Sequence, residues 1–218
     1  TDMRRLFDNP DIDGVIIATP DHWHAPAAIL ACQAGKHVYV EKPISHNLRE
    51  SRALVETASQ HQRVVQHGTQ RRNAPFIYDA LQSLRDGVIG DVLMARCWNV
   101  QMRDNIGRHQ PTAPPPGVDY NLWVGRAEMV SYQENRFHRL WRWWYNFGTG
   151  DIGNDGCHDL DYARAGLGVE SPPTKVSAIG VKYYLDADQH FPDTGSCTFE
   201  YPPAADGQPT RQLIFEMR

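Results

Sequence analysis

Lys42 is the residue around which a chemical reading of this sequence is built. It stands in the stretch Val38–Tyr39–Val40–Glu41–Lys42–Pro43. The β-branched and aromatic triplet favours a strand. Pro43, which has no N–H to give a ladder, ends it. Glu41 and Lys42 therefore fall just beyond the carboxyl end of a strand, the edge where open parallel sheets bind ligands. An ammonium there can donate hydrogen bonds to a substrate hydroxyl. The plainer alternative is a solvated Glu–Lys pair in a loop.

Three other stretches carry reactive residue types. Thr19–Pro20–Asp21–His22–Trp23–His24 follows an apolar run and opens a helix. Free backbone N–H groups at such a point suit a nucleotide or ribose. The same residues also make a plain capped turn, and a zinc reading of the His-x-His pair needs distant ligands such as Asp155 or His158. No metal site is expected. In Gly148–Thr149–Gly150–Asp151–Ile152–Gly153–Asn154–Asp155–Gly156–Cys157–His158–Asp159–Leu160–Asp161, a helix beginning at Asp151 puts Asp151, Asn154, His158 and Asp161 on one face. Such a face offers a base, an amide and two carboxylates; the alternative is a helix-start aspartate with a solvated polar face. Gly68–Thr69–Gln70–Arg71–Arg72–Asn73 follows the next strand and either lines the same crevice or links two domains. The aromatic run Trp141, Trp143, Trp144, Tyr145 and Phe147 reads as core or as a sugar-stacking platform.

These residues need elements to hold them. Thr1 reads as the N-cap of a short helix carrying Met3, Leu6 and Phe7 inward. Gly14–Ala18 is a continuous apolar run, expected of a strand covered on both faces. A helix is expected over 25–34, with Pro26 in its first turn and Gly35 at its end. The strand Val38–Val40 follows. Asn47 with Glu50 signals the cap of a further helix bearing Leu48, Leu54, Val55 and Ala58, and 63–66 reads as a third parallel strand. Beyond residue 70 the pattern changes. A helix is expected over 76–84 and a strand over 92–100. A loop-rich region covers 103–147, and a helix 151–165. Strands over 176–184, 197–201 and 213–217 without intervening helices suggest an antiparallel sheet. The fold class expected is α/β. A three-strand half of a doubly wound sheet occupies residues 1–70, and an α+β domain with an open, mainly antiparallel sheet occupies 71–218.

The 218 residues carry a net charge of −4, with 41% hydrophobic and 22% charged residues. That balance gives no reason to expect nucleic acid or an anionic membrane as partner. No apolar run is long enough to span a bilayer. The cysteines Cys32, Cys97, Cys157 and Cys197 lack paired metal-ligand spacing.

Thr19–Pro20–Asp21 with His24, then Glu41–Lys42–Pro43, then the glycine-rich helix with His158 and Asp161, resemble the Gfo/Idh/MocA family over essentially the whole chain. This is the glucose–fructose oxidoreductase and inositol dehydrogenase type. The resemblance implies an NAD(P)-binding Rossmann domain and a second domain with a large open sheet. It implies hydride transfer between nicotinamide, as NAD or NADP, and a carbon bearing a sugar or cyclitol hydroxyl. It places Thr19, Pro20, Asp21, His24, Glu41, Lys42 and Gln70 on the cofactor. Lys42, Arg72, Asp151, Asn154 and His158 fall on the substrate, with Lys42 and His158 catalytic. A homo-oligomer through the antiparallel sheet is expected. An NAD-assisted glycosidase and a non-catalytic sugar-binding or assembly module stand as alternatives. Asn154 occupies the place where family dehydrogenases carry an aspartate four residues before the histidine. Carboxylate help then falls to Asp151 or Asp155, or is absent. The family's first strand and glycine turn are expected upstream of Thr1. The stretch then reads as an internal piece that binds dinucleotide weakly, lacks activity by itself and self-associates.

Overall fold

The structure, a computed structural model, describes residues 2–203 and 207–218. The chain forms two compact units. One holds residues 1–68, 106–154 and 187–190; the other holds 69–105, 155–186 and 191–218. The chain crosses between the units after Gly68, Asn105, Asn154, Asp186 and His190.

The first unit is built on a parallel sheet of three strands in the order β1–β2–β3: β1 (Gly14–Ile17), β2 (His37–Val40) and β3 (Val65–His67). Val15 sits opposite Val38, and Val38 opposite Val65. The short α1 (Arg4–Phe7) precedes β1; the cap expected at Thr1 lies outside the described residues. α2 (Asp21–Gln33) and α3 (Leu48–Gln60) are the crossover helices. Ala25, Ala28, Ala31 and Cys32 of α2 pack with Ile17, Val38, Val40 and Leu54 in one core. Small residues on α2 let it lie close to the sheet. Asn47 caps α3 as its position suggests, accepting from the Glu50 N–H at 3.0 Å.

Two expectations are corrected in this unit. β1 is not covered on both faces, for Ile16 is 78% exposed. The order β1–β2–β3 advances in one direction, so two right-handed crossovers lay both helices on one face. α2 starts at Asp21, four residues before the expected point, because Pro20 is extended (ψ 152°) and the helix begins directly after it. Pro26 is thus interior to the helix, where its missing N–H leaves the His22 carbonyl without its usual helical partner.

Residues 106–154 add a second core of Ile106, Tyr120, Val124, Tyr132, Trp143, Trp144 and Phe147 around α5 (Tyr120–Val124) and the 3₁₀ segments Glu134–Arg136 and His138–Trp143. Trp144 donates its indole N–H to the Asn135 carbonyl at 2.8 Å. Most of the aromatic run is therefore core, with Tyr145 exposed. The one-turn helix α6 (Gly150–Asn154) closes this unit's central segment.

The second unit carries a four-stranded sheet in the order β4–β7–β6–β5. Its strands are β4 (Met94–Asn99), β5 (Lys175–Val181), β6 (Thr194–Tyr201) and β7 (Arg211–Met217). β5–β6 and β6–β7 are antiparallel, as expected, but β4 runs parallel to β7. α7 (Gly156–Leu167) covers one face, where Cys97, Leu213, Phe215 and Met217 are buried, and α4 (Pro75–Arg85) packs against α7. α7 touches both β4 and β7, and a chain returning through such a helix enters its sheet parallel to where it left. The single helix expected over 151–165 is two, α6 and α7, separated at Asp155.

Candidate functional site

In the first unit the candidate residues converge on the carboxyl edge of the parallel sheet. β2 ends at Val40. The Glu41 N–H donates to the Ile17 carbonyl at 2.9 Å and the Gly68 N–H to the Val40 carbonyl at 2.8 Å. These two bonds bring the ends of all three strands level. A Cβ on Gly68 would lie 3.1 Å from Glu41 Cα and 3.2 Å from its Oε2, so glycine lets the end of β3 approach Glu41. The Lys42–Pro43 peptide is cis.

The Lys42 ammonium is held by one residue. Its Nζ donates to the Asn154 backbone carbonyl at 2.7 Å and to the Asn154 side-chain Oδ1 at 3.0 Å. Lys42 and Asn154 lie 112 residues apart in the chain. A lysine ammonium has three N–H bonds; Asn154 takes two, leaving one of the right kind to meet a hydroxyl.

Two residues assigned to the cofactor by resemblance are turned inward. His24 is 2% exposed, with Nδ1 2.6 Å from the Pro43 carbonyl and Nε2 2.8 Å from the Thr19 carbonyl. It ties the loop after β1 to the loop after β2. Asp21 is 4% exposed and its Oδ2 accepts from the Thr149 hydroxyl at 2.6 Å. Burial pushes the Asp21 carboxyl above its usual range, against the Thr149 hydrogen bond and the charges of His24, His46 and Arg142. Thr19 and Pro20 are half-buried, and the Thr19 hydroxyl is buried without a hydrogen-bond partner. An orphaned hydroxyl at the carboxyl end of a parallel strand fits a polar ligand such as a dinucleotide ribose. His22 donates Nε2–H to the Trp123 carbonyl at 3.1 Å, and burial depresses its pKa to about 4.

The letters Gly148-Thr149-Gly150-Asp151-Ile152-Gly153 spell G-x-G-x-x-G, a signal sequence reasoning passed over. No strand precedes them; they follow the 3₁₀ segment His138–Trp143 and lead into a helix of five residues. The context that makes this pattern a phosphate cradle, strand then turn then long helix, is missing.

In the second unit Gln70 opens the 3₁₀ segment Gln70–Asn73. Arg72 pairs with Asp161 through two bonds, one of 2.9 Å from Nε to Oδ2. His158 is buried in the first turn of α7, its N–H donating to the Asp155 carbonyl at 3.0 Å. Asp155 Oδ2 accepts from Gln101 at 2.8 Å and from Arg103 at 2.5 Å, so this carboxylate is bound into a local network. Asp159 accepts from the Tyr162 hydroxyl at 2.5 Å, and burial followed by that bond pushes the Tyr162 hydroxyl to about 12. The signal for this network was the run of acidic residues itself; its basic partners at 71, 72 and 103 come from other parts of the sequence. The helix break at Asp155 puts Asp151 and Asn154 in the first unit and His158 and Asp161 in the second. Among the described residues no group of three His, Cys, Asp or Glu side chains is placed to hold a metal ion, and no helix is long and apolar enough to cross a membrane.

Comparison with known proteins gives these residues a family. Residues 1–69 match the model described as oxidoreductase family, NAD-binding Rossmann fold, and residues 97–198 match its C-terminal α/β domain. Levoglucosan dehydrogenase of Pseudarthrobacter phenanthrenivorans is 38% identical over 96 residues, 44% of this chain and 25% of that protein. Inositol 2-dehydrogenase 4 of Saccharopolyspora erythraea is 30% identical over 138 residues, 63% of this chain and 38% of that one. A glycosyl hydrolase family 109 protein of Shewanella sp. (strain ANA-3) is 38% identical over 93 residues, 41% of this chain and 20% of that one. The solved levoglucosan dehydrogenase with NADH and levoglucosan superposes with a TM-score of 0.68 at 25% identity, over 99% of this chain and 50% of that one. The chain thus spans about half the length of that solved relative, and its matches cover a smaller share of these curated relatives. The chain belongs to the Gfo/Idh/MocA oxidoreductase family, whose Rossmann domain binds NAD.

Proposed function

We propose that this chain carries part of the active site of an NAD- or NADP-dependent oxidoreductase that moves a hydride between nicotinamide and the carbinol carbon of a sugar or cyclitol. The observation that carries the reading is the Lys42 ammonium at the carboxyl end of β2, held on Asn154 with one N–H to spare. Family membership and relatives named for levoglucosan and inositol oxidation support the same chemistry.

When bound, the dinucleotide supplies the hydride acceptor. Thr19, Pro20, Glu41, Lys42 and Gln70 are its proposed contacts in this chain, with Asp21 and His24 supporting the loops that carry them. Lys42 donates a hydrogen bond to the reacting hydroxyl and fixes its orientation. His158 takes the hydroxyl proton as general base while the C–H bond gives up its hydride and a carbonyl forms. Arg72, Asp151 and Asn154 are proposed on the substrate side, with Asn154 acting through Lys42. Residues 1–70 are assigned to dinucleotide binding and 71–218 to substrate binding and oligomerisation. The exposed Met94 and Trp98 of β4 and Ile179 of β5 support self-association through the second unit's sheet.

The test is nicotinamide absorbance during incubation of the full-length protein, wild type and Lys42→Ala, with a panel of sugars and cyclitols. Turnover abolished by the substitution is the expected result. Cleavage of a glycoside with no net change in absorbance would assign the NAD-assisted glycosidase instead. Sugar binding without any turnover would make the chain a binding module. A Lys42→Ala protein with near-normal rate would remove the lysine from the reaction.

A further inference from the structure

We propose that Asp21 is a positioning residue: through Thr149 and Gly153 it sets the one-turn helix α6 so that Asn154 meets the Lys42 ammonium. The proposal deepens the reading of Lys42 as the hydroxyl-binding residue and rests on that reading for its functional meaning. A helix of five residues is too short to form or to place itself. Its position must come from ties to the rest of its unit.

Those ties are specific. The His22 N–H, an orphan donor of the first turn of α2, binds the Phe147 carbonyl at 3.2 Å. His46 donates Nε2–H to the Gly148 carbonyl at 3.0 Å. Thr149 donates its hydroxyl to Asp21 Oδ2 at 2.6 Å, the shortest of the three. The Thr149 carbonyl also accepts from the Gly153 N–H at 3.4 Å. With its hydroxyl turned to Asp21, the Thr149 side chain rests against the Gly153 backbone. A Cβ on Gly153 would lie 2.0 Å from Thr149 Oγ1 and 2.4 Å from its Cβ. Glycine at 153 and the Thr149 rotamer therefore depend on each other. Asn154 is the next residue, and both of its oxygens take the Lys42 ammonium.

The location of Asp21 explains why a carboxylate is worth burying there. It lies in the first turn of α2, whose N-terminal dipole favours an anion. Its carboxylate is a stronger acceptor for the Thr149 hydroxyl than a neutral group. Thus one end of the device is anchored in α2 and the other is Lys42, at the end of β2.

The experiment measures how tightly Lys42 is held, without needing substrate. The protein is treated with an amine-acylating reagent, and modification of Lys36, Lys42, Lys175 and Lys182 is followed separately by peptide mass spectrometry. Lys36 is the internal control, because it is buried in the same unit on the Asn9 carbonyl at 2.7 Å. Asp21→Ala and Thr149→Val are expected to raise the Lys42 rate several-fold. Thr149→Ser keeps the donor and is expected to stay within about twofold of wild type, while Asp21→Asn, which keeps only a neutral acceptor, is expected to fall between wild type and Asp21→Ala. Thr149→Val is nearly isosteric, so it keeps the test alive if Asp21→Ala fails to fold. Unchanged Lys42 labelling in folded Thr149→Val overturns the proposal. So does an equal rise at Lys36, which would mean general loosening of the unit. If labelling follows the expected order but no sugar or cyclitol is oxidised, the positioning device stands and the proposed reaction falls.

Discussion

Replacing Asn154 tests the contact on which the chemical reading rests. In Asn154→Ala the backbone carbonyl still holds Lys42 at 2.7 Å, but the side-chain acceptor at 3.0 Å is gone. A hydrogen bond to a charged group contributes about 1.5–3 kcal/mol. One acceptor remains and the ammonium is only half-buried, so a loss of about 1 kcal/mol in stability is expected. In Asn154→Asp a full negative charge takes the place of Oδ1. At 3.0 Å and an effective dielectric of about 20, the attraction is about 5 kcal/mol before desolvation. Taking the new carboxylate partly out of water cancels most of that, the ammonium being already in place in the wild type. A net gain of about 1 kcal/mol is left, with the ammonium drawn more tightly to residue 154. Urea unfolding measures stability in all three proteins, and acylation of Lys42 measures how available its amine is. The labelling rate should rise in Asn154→Ala and fall in Asn154→Asp. In enzymatic assay, Asn154→Asp should change turnover without loss of stability. Equal labelling in the three proteins would refute the assignment of Asn154 as the holder of Lys42. A large fall in melting temperature with unaltered kinetics would make residue 154 a packing position.

Other perturbations have defined outcomes. His158→Asn should lower the rate by about 10²–10⁴-fold and flatten the pH profile near neutrality; residual activity with wild-type pH dependence would exclude it as the base. His22, at about 4 when folded against 6.5 unfolded, binds fewer protons in the native state. Its contribution to stability is therefore present above pH 6.5 and is lost as pH falls towards 4. Urea unfolding at pH 7 and pH 5 should show about 2 kcal/mol of this loss, and His22→Gln, which keeps a donor for the Trp123 carbonyl, should remove that share. An unchanged slope in the variant would mean other groups carry the titration. Gly125→Ala should cost about 3 kcal/mol. Gly125 has φ of +58°, and a Cβ would stand 2.0 Å from Cζ2 of Trp23, whose indole N–H is fixed on the Trp123 carbonyl at 2.8 Å. Wild-type thermal stability in that variant would show that the Trp23 ring can move aside.

Much of the sheet architecture could be read from the sequence because it is local. The apolar runs at 14–17 and 37–40, the Asn47–Glu50 cap and the alternating strands near the C-terminus appear close to where periodicity puts them. Pairing partners are a different kind of information. β4 lies beside β7, with Met94 opposite Gln212, and nothing in the alternation of β4 says which strand it joins or in which direction. The site shows the same division. Lys42 is legible as a strand-end lysine, whereas its tie to Asn154 joins residues 112 apart. His24 and Asp21 look like ligands for a nucleotide from their place after a strand. Only the packing shows that their polar atoms point to Thr19, Pro43 and Thr149. The break at Asp155 was hidden because the spacing of Asp151, Asn154, His158 and Asp161 suits one continuous helix.

The glycines of the segment 148–153 show why spelling and role separate here. In a phosphate cradle, glycines keep side chains away from an incoming pyrophosphate, and a long helix aims its N-terminus at the anion. In this chain each glycine answers to the protein itself. A Cβ on Gly148 would fall 2.4 Å from the Cα of Arg142. Gly150 has φ of +63°, a conformation that side chains with a Cβ resist. Gly153 makes room for Thr149. With no strand before them and a single helical turn after them, these residues cannot concentrate a helix dipole on a phosphate. What the segment does instead is deliver an amide to an ammonium, with a buried carboxylate fixing its near end. At the strand ends the Thr19 hydroxyl is buried without a partner. Asn154 is what this segment presents, and the Lys42 ammonium is what it holds.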